Sequence, residues 1–159
     1  METKPLSCEH ESFASFCSLL ERIRRTKAKI KVQVLKKYMS QFHENADVYP
    51  VVRLLLPECD DQRMNYGLRE VNLAKILAYI LGLPEAEKNR LAAWKDSRVQ
   101  QGHNCTAGDF PSVFYSIIES RCAGVSAMLT IGEVNMHLGA IHQEADKKGA
   151  LLRLSLIHI

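Results

Sequence analysis

The stretch that decides the fold is Phe13-Ala14-Ser15-Phe16-Cys17-Ser18-Leu19-Leu20-Glu21-Arg22-Ile23, near the start of a chain of 159 residues. Its apolar residues recur at the i, i+3, i+4, i+7 and i+10 positions that share one face of an α-helix. That apolar set consists of Phe13, Phe16, Cys17, Leu20 and Ile23. The spacing predicts an amphipathic first helix, which makes an all-α fold the starting hypothesis.

Helical spacing continues along the rest of the chain. Residues 48–56 are nearly all apolar and short enough for a buried strand, but no alternating partner strand occurs elsewhere, so we interpret them as a buried helix. Further helices are predicted around residues 30–42, 68–81, 85–95, 110–118 and 130–141. Seven or eight helices without a convincing strand predict an all-α domain.

Local signals mark the ends of several predicted helices. Gly82 followed by Pro84 is typical of a helix C-terminus. Thr130 and Glu133 have the spacing of a capping box, in which each side chain accepts from the other residue's amide. Turn-forming residues concentrate at 96–109, which predicts the main loop, and a second loop is predicted at 123–127.

The charge of the chain is unevenly distributed. The net charge is only +3, but residues 22–37 contain eight basic side chains and no acid, which leaves the remainder mildly acidic. We call residues 22–37 the basic arm. Like charges at this density repel one another, and phosphate oxygens of a polyanion would relieve that cost. The alternative is a solvated helix face whose lysine stems cover apolar surface.

The cysteine pattern favours a reducing compartment. The five cysteines are odd in number, widely spaced and without a CxxC pair, so we expect reduced thiols that mostly fill the core. The N-terminus lacks the pattern of a signal peptide, and no apolar run is long enough to span a membrane.

Catalytic and metal-binding motifs are absent from the sequence. Neither GxG, GK[ST] nor HExxH occurs. His137 and His142 are five residues apart and therefore on different helix faces, while His103 and Cys105 alone make too few ligands. Asp60 and Asp61 are adjacent, and we interpret them as solvated charges rather than as a catalytic pair. No catalytic residue and no metal ligand are predicted.

A set of short motifs is spread over residues 13–145: Phe16–Ile23, Tyr49-Pro50, Arg53-Leu54, Leu56-Pro57, Arg63, Tyr66-Gly67, Glu70, Leu73-Ala74-Lys75, Ala107-Gly108-Asp109-Phe110, Arg121-Cys122, Leu129-Thr130-Ile131 and Val134-Asn135. Together these motifs resemble a known family, the N-terminal DNA-binding domain of eukaryotic ATP-dependent DNA ligases, and most closely its ligase IV branch.

The resemblance implies a helical domain at residues 13–148 that grips duplex DNA from the minor-groove side. It implies a tail at 1–12 and a truncated or non-family end at 149–159. The family's ligation needs ATP, Mg²⁺ and a lysine in a KxDG motif, but no Asp-Gly dipeptide occurs here, and Lys95-Asp96-Ser97-Arg98 is no substitute. We therefore expect no cofactor in this chain and no ligation by it alone.

The resemblance also implies partners and a cellular setting. The setting is the nucleus, in double-strand-break repair by non-homologous end joining, with nicked or broken duplex DNA as the partner. The N-terminal helices would dock the Artemis nuclease, and a coiled-coil scaffold would bind only through C-terminal repeats that are absent from this chain.

Two groups of site residues follow from these arguments. The basic arm and the loop before the predicted 110–118 helix supply the DNA-binding group, in which Gly108 allows close backbone approach and amides beside Asp109 meet a phosphate. Capping by Asp109 alone is the alternative. The DNA-binding group is Lys27, Lys29, Lys31, Gly108, Asp109 and Arg121, and the partner-docking group is Phe13, Phe16, Leu20 and Ile23.

Overall fold

The fold is known from a computed structural model that describes residues 7–63, 66–122 and 129–144, together with residue 149. Within this part the chain forms eight α-helices and a single 3-10 turn, Pro57–Cys59, and no strand. The all-α prediction is therefore confirmed. The helices are α1 (Phe13–Arg25), α2 (Ala28–Met39), α3 (Tyr49–Leu55), α4 (Glu70–Ile80), α5 (Glu85–Ala92), α6 (Ser97–Gln100), α7 (Phe110–Cys122) and α8 (Ile131–Gln143).

The chain divides into two compact units. Unit 1 comprises Met1–Tyr66 and Ala127–Gln143, and therefore holds α1, α2, α3 and α8. Unit 2 comprises Gly67–Ser126 and Glu144–Ile159, and holds α4 to α7. The predicted domain limits of 13 and 148 stay a prediction.

Unit 1 is built on a small core to which the segment before α1 contributes. Cys8 is fully buried, and its amide donates to the carbonyl of Asp47 at 3.2 Å. The Ile131 amide donates to the carbonyl of Glu11 at 2.9 Å. Residues 7–12, which fall in the predicted tail, are therefore held to the rest of unit 1 by backbone hydrogen bonds.

Helix α1 is amphipathic as predicted, but its buried face is shifted around the helix. Phe16 and Leu19 are buried, whereas Leu20 is 38% exposed and Cys17 is also exposed. Leu19 was not in the predicted stripe, because sequence spacing of three or four residues fits Leu19 and Leu20 equally well. Helix α2, by contrast, contains no fully buried residue.

Two helix predictions in unit 1 are confirmed. Residues 48–56 form α3 rather than a strand, with Pro50 in its first turn. At the start of α8 the Thr130 amide donates to Glu133 Oε2 at 2.8 Å, and the Glu133 amide donates to Thr130 Oγ1 at 3.2 Å. These two bonds form the predicted capping box.

Unit 2 packs around an aromatic and aliphatic core. Leu91 and Val113 are fully buried, and the rings of Trp94 and Phe110 meet edge to face at 5.8 Å. Helix α4 is followed by Gly82, which has a φ of +55°. Glycine adopts this left-handed conformation with little steric strain because it lacks a Cβ. The Gly82 amide donates to Tyr79 O and the Leu83 amide to Ala78 O, which is a Schellman ending.

Two sequence predictions need correction. The predicted loop at 96–109 contains α6, because the Asp96 carboxylate accepts from the Arg98 amide at 2.9 Å and starts a helical turn. Among the cysteines whose side chains the structure describes, only Cys8 is buried: Cys17 and Cys59 are exposed, and Cys105 is half-buried. The second predicted loop, at 123–127, lies outside the described residues.

Candidate nucleic-acid interface

The basic arm spans the end of α1, a two-residue link and most of α2. Helix α1 ends at Arg25, Thr26 and Lys27 have extended backbones, and α2 begins at Ala28. Every basic side chain of the arm is exposed to solvent: Arg22, Arg24, Arg25, Lys27, Lys29, Lys31, Lys36 and Lys37. The cations of the arm therefore form an exposed positive surface.

The carboxylate of Glu21 neutralises part of this surface. Glu21 Oε2 accepts from Arg24 Nε at 2.9 Å, and Glu21 Oε1 accepts from Arg25 Nε at 2.7 Å. The hydrogen bond from Arg24, with help from Arg25, holds the pKa of Glu21 below its ordinary value. The ion pairs found in the described residues include none with a lysine of α2. The α2 lysines are therefore available to an external anion.

The geometry of α2 sorts its lysines onto different faces. Successive residues turn by about 100° around a helix, so Lys29 and Lys31 are about 200° apart. Val34 and Tyr38 are half-buried against the unit 1 core, which fixes the inner side of α2. Residues 29, 33 and 36 lie on the opposite side. We call Lys29, Gln33 and Lys36 the outer row.

The residues proposed for partner docking lie largely inside unit 1. Phe16 is buried, and Phe13 and Ile23 pack against the same core, with 6.0 Å between the two phenylalanine rings. Packing alone therefore accounts for these side chains. Leu20 is the member of that group with an exposed side chain, and the exposed apolar residues of α2 are Ile30 (46%) and Val32 (59%).

In the loop before α7 the amides of both Gly108 and Asp109 are bonded within unit 2, and phosphate binding by this loop stays a prediction. Gly108 has a φ of +88°, and no atom lies within 4 Å of the position that a Cβ would take. Its amide donates to the Trp94 carbonyl at 2.9 Å, which holds the loop to the unit 2 core. Asp109 occupies the N-cap position of α7, and its carbonyl accepts from the Val113 amide. Both loop residues are exposed.

Arg121, the remaining candidate, is engaged within unit 2. One guanidinium nitrogen donates to Glu87 Oε2 at 2.8 Å, and the other donates to the Leu81 carbonyl at 3.2 Å. These bonds join the last turn of α7 to the chain around the start of α5. The contacts give Arg121 a structural role.

The sequence analysis missed a buried charged cluster in unit 1. Asp60 is only 5% exposed, and its Oδ2 accepts from Arg53 Nε at 2.9 Å and from Arg63 Nε at 2.7 Å. The hydrogen bond from Arg53, then that from Arg63, hold the pKa of Asp60 at about 2. The interpretation of Asp60 as a solvated charge was therefore wrong, whereas Asp61 is exposed as expected.

The buried cluster extends to α8. Arg63 donates to the Asn135 carbonyl at 3.1 Å and to Asn135 Oδ1 at 2.8 Å, while Asn135 Nδ2 donates to the Pro50 carbonyl at 2.9 Å. The cluster thus joins α3, the segment after it and α8 within unit 1. The signal in the sequence was Arg53, a cation inside an apolar run that needs a buried acid nearby.

Lys95, Asp96 and the possible metal ligands were the remaining candidates for chemistry. The Lys95 ammonium lies 4.7 Å from the centre of the Trp94 ring, and the Asp96 carboxylate is bonded to Arg98. Both side chains are therefore engaged in local contacts. Residues 7–63, 66–122 and 129–144 contain no group of His, Cys, Asp or Glu able to hold a metal. Within the same residues, none of the helices has the length and apolarity to cross a membrane.

Comparisons with known proteins agree with this architecture. The family model described as the DNA ligase N terminus matches residues 12–156, beyond the predicted limit of 148. DNA ligase 4 of Pongo abelii is 33% identical and that of Homo sapiens 32% identical, each alignment covering 99% of this chain and 19% of the relative. DNA ligase 4 of Dictyostelium discoideum is 33% identical, with 86% of this chain and 13% of the relative covered.

The chain therefore spans about a fifth of the length of the two primate relatives. The match includes the helices of both units and the basic arm. With most of its residues covered by that model, this chain belongs to the DNA ligase N-terminus family, in a form similar to the N-terminal part of DNA ligase 4.

Proposed function

We propose that this chain is a DNA-binding N-terminal part of an ATP-dependent DNA ligase of the ligase IV type, acting in the nucleus in double-strand-break repair by non-homologous end joining. The observation that carries the proposal is the exposed basic arm, in which eight cations face solvent. Membership of the ligase N-terminus family supplies the functional context.

Phosphate binding explains a charge pattern that costs stability in the free chain. Each exposed lysine or arginine repels its neighbours, and Glu21 is the acid that pairs with the arm. Duplex DNA offers a dense array of phosphates and releases condensed counterions when these are neutralised. The binding would be largely independent of sequence, because phosphate contacts position a protein without reading bases.

Ligation by the longer protein would need chemistry that these residues do not supply. ATP and Mg²⁺ would serve the parent enzyme, whose adenylated lysine belongs to a part of the family's sequence not represented by Lys95-Asp96 here. We therefore expect the 159-residue chain to form no covalent AMP adduct when incubated with ATP and Mg²⁺. An intact-mass increase corresponding to AMP would contradict this part of the proposal.

Salt-dependent affinity tests the DNA-binding role. A fluorescently labelled nicked duplex is titrated with the chain between 50 and 200 mM salt, where log K should fall linearly with log salt, by ~0.9 per phosphate contact. Lys27→Gln/Lys29→Gln/Lys31→Gln should weaken binding to every duplex and flatten that slope by roughly one to three units. A matched unit 2 variant, Lys75→Gln/Lys88→Gln/Lys95→Gln, should leave both values near wild type. Equal effects of the two triple variants would overturn the role of the arm.

The second candidate function is docking of a protein partner on α1 and α2. The exposed side chains of Leu20, Ile30 and Val32 favour it, since three apolar residues face solvent beside the cations. The resemblance to the ligase IV branch implies the Artemis nuclease as that partner. Replacing Ile30 and Val32 with Ser should abolish such docking without changing the salt slope of DNA binding, which separates the two functions.

A further inference from the structure

The basic arm contains a single hydroxyl-bearing residue, Thr26. It lies in the link between α1 and α2, where its φ of −93° and ψ of 143° are those of an extended chain. Lys27 beside it is also extended, with φ −62° and ψ 147°. Thr26 is therefore outside both helices and is partly exposed.

The charges around Thr26 suit an enzyme with an acidic substrate cleft. Basic residues precede it at three positions, Arg22, Arg24 and Arg25, and follow it at Lys27, Lys29 and Lys31. All of these side chains are exposed. An extended hydroxyl residue flanked on both sides by cations is complementary to a basophilic protein kinase, whose cleft is lined by carboxylates.

We propose that Thr26 is a phosphorylation site for a basophilic serine/threonine kinase, and that its phosphate switches off the polyanion binding of the basic arm. The consequence for binding rests on the proposed DNA-binding function, whereas the modification itself does not. The modification that weakens polyanion binding would thus lie within the arm itself, in the link between α1 and α2.

The reaction uses a nucleoside triphosphate with Mg²⁺ in the kinase. Thr26 Oγ1 attacks the γ-phosphorus, so that a new P–O bond forms and the bond from this phosphorus to the β–γ bridging oxygen breaks. The diphosphate leaves, and the hydroxyl proton passes to a carboxylate of the kinase. Thr26 gains about −1.5 to −2 charges at neutral pH.

The phosphate would change the local structure in a defined direction. The Thr26 hydroxyl now donates to the Arg22 carbonyl at 2.6 Å, and a phosphate ester oxygen has no proton to donate. The first turn of α2 has no acidic residue and no side-chain cap from Lys27. The partial charges of the helix ends oppose a phosphate at the end of α1 and favour it at the start of α2. The modified side chain should therefore turn towards the amides of Ala28 and Lys29.

Kinase labelling tests the site independently of DNA. The full chain is incubated with a recombinant basophilic serine/threonine kinase, ATP and Mg²⁺, and the modified residue is mapped by mass spectrometry. Phosphate should appear at Thr26 and be absent from Thr26→Val. Ser40 is the internal control, since it follows Lys36 and Lys37 but has a helical backbone. Labelling of Ser40 without Thr26, or no labelling of Thr26, would overturn the proposal.

Site-specific incorporation of phosphothreonine at position 26 tests the switch. Affinity for the nicked duplex at 100 mM salt should fall by about tenfold or more, and the salt slope should flatten, because two charges of the arm are neutralised. Thr26→Val, which removes the same hydroxyl without adding charge, should bind like wild type. Unchanged affinity of the phosphorylated chain would overturn the switch. If the unmodified chain itself failed to bind duplex, the proposed function would fail, while labelling of Thr26 would still support the modification site.

Discussion

The two units of the molecule differ in how their cations are used. In unit 2, Arg121 is bonded to Glu87, Arg98 is paired with Asp96, and Arg90 donates to Gln100 and to the Ser116 hydroxyl. In unit 1, Arg53 and Arg63 are buried around Asp60, while the cations of the basic arm face solvent. Unit 1 therefore contains both buried cations, at Arg53 and Arg63, and the exposed cations of the basic arm.

The difference separates structural from functional charge. A cation bonded to a carboxylate and a carbonyl of its own unit loses those bonds if it turns to a ligand. A lysine of the outer row gives up nothing when it meets a phosphate, apart from side-chain freedom. The comparison therefore favours the basic arm for the proposed recognition, and it predicts that Asp60, Arg90 and Arg121 contribute to stability.

The largest effect is expected when the buried charge of unit 1 is removed. Asp60→Ala leaves Arg53 and Arg63 without their shared carboxylate, and an uncompensated buried cation is strongly destabilising. Thermal unfolding should shift down by about 10 °C. Asp61→Ala, an exposed neighbour, should shift it by less than about 2 °C. A similar shift in both variants would show that Asp60 is not the centre of the cluster.

Acid should remove the same contribution without a mutation. The pKa of Asp60 is about 2 in the folded chain against an ordinary value of 3.8. A lowered folded pKa means that the stabilisation is fully present above pH 3.8 and disappears as pH falls through about 2. The difference in urea midpoint between wild type and Asp60→Asn should therefore be constant from pH 7 to 5. It should shrink as the pH falls from 3.8 to about 2. A constant difference down to pH 2 would contradict the assignment.

The Asp60 cluster also shows which parts of the fold could be predicted from the sequence and which could not. Helix existence followed from spacing and caps, as at Thr130 and Glu133, because these signals are local. The bond from Arg63 to Asn135 joins residues 72 positions apart, and no local pattern encodes such a pairing. Within the candidate site, exposure of the basic arm was predictable from charge alone. The inner and outer faces of α2 required the packing of Val34 and Tyr38, and the pairing of Arg121 with Glu87 required the tertiary fold.

The outer row gives a test within a single helix. Lys29→Gln/Lys36→Gln removes two charges from one face, and we expect duplex affinity to fall by about tenfold and the salt slope to flatten by nearly two units. Lys31→Gln lies about 200° away from Lys29 and should change the slope by less than one. Glutamine retains helix propensity, so circular dichroism should be unchanged. A larger effect of Lys31→Gln would place DNA on the other face of α2.

A pair of glycines sharpens the comparison of backbone roles. Gly108 in unit 2 has a φ of +88°, so Gly108→Ala should destabilise the chain by about 1–2 kcal/mol. Gly139 lies inside α8 with free space around its Cβ position, so Gly139→Ala should stabilise by about 0.5–1 kcal/mol. Urea unfolding measures both values.

Binding by the same two glycine variants then tests the loop before α7. If this loop faces DNA, Gly108→Ala weakens nicked-duplex binding under conditions in which the variant is still fully folded. Gly139→Ala does not weaken it. Gly108→Val is a poorer probe, because its β-branch adds strain at this backbone conformation. Equal affinities of the two alanine variants for the nicked duplex would indicate that the loop does not contact DNA. Asp109 would then serve only as the N-cap of α7.

The smallest effect concerns the ion pair of Arg121 and Glu87, whose side chains are 39% and 35% exposed. A pair this accessible to water contributes about 0.2–1 kcal/mol, so Arg121→Gln and Glu87→Gln should each lower stability by a similar small amount, with a coupling of the same size in the double variant.

The effects of Arg121→Gln and Glu87→Gln on duplex binding decide the role of Arg121. A structural arginine predicts that neither variant changes affinity or salt slope. If Arg121 instead held a phosphate, Arg121→Gln would flatten the slope by about one unit, and Glu87→Gln would strengthen binding by releasing the guanidinium. We expect the first pattern, because the guanidinium already satisfies two acceptors of its own unit and would have to leave both to reach DNA.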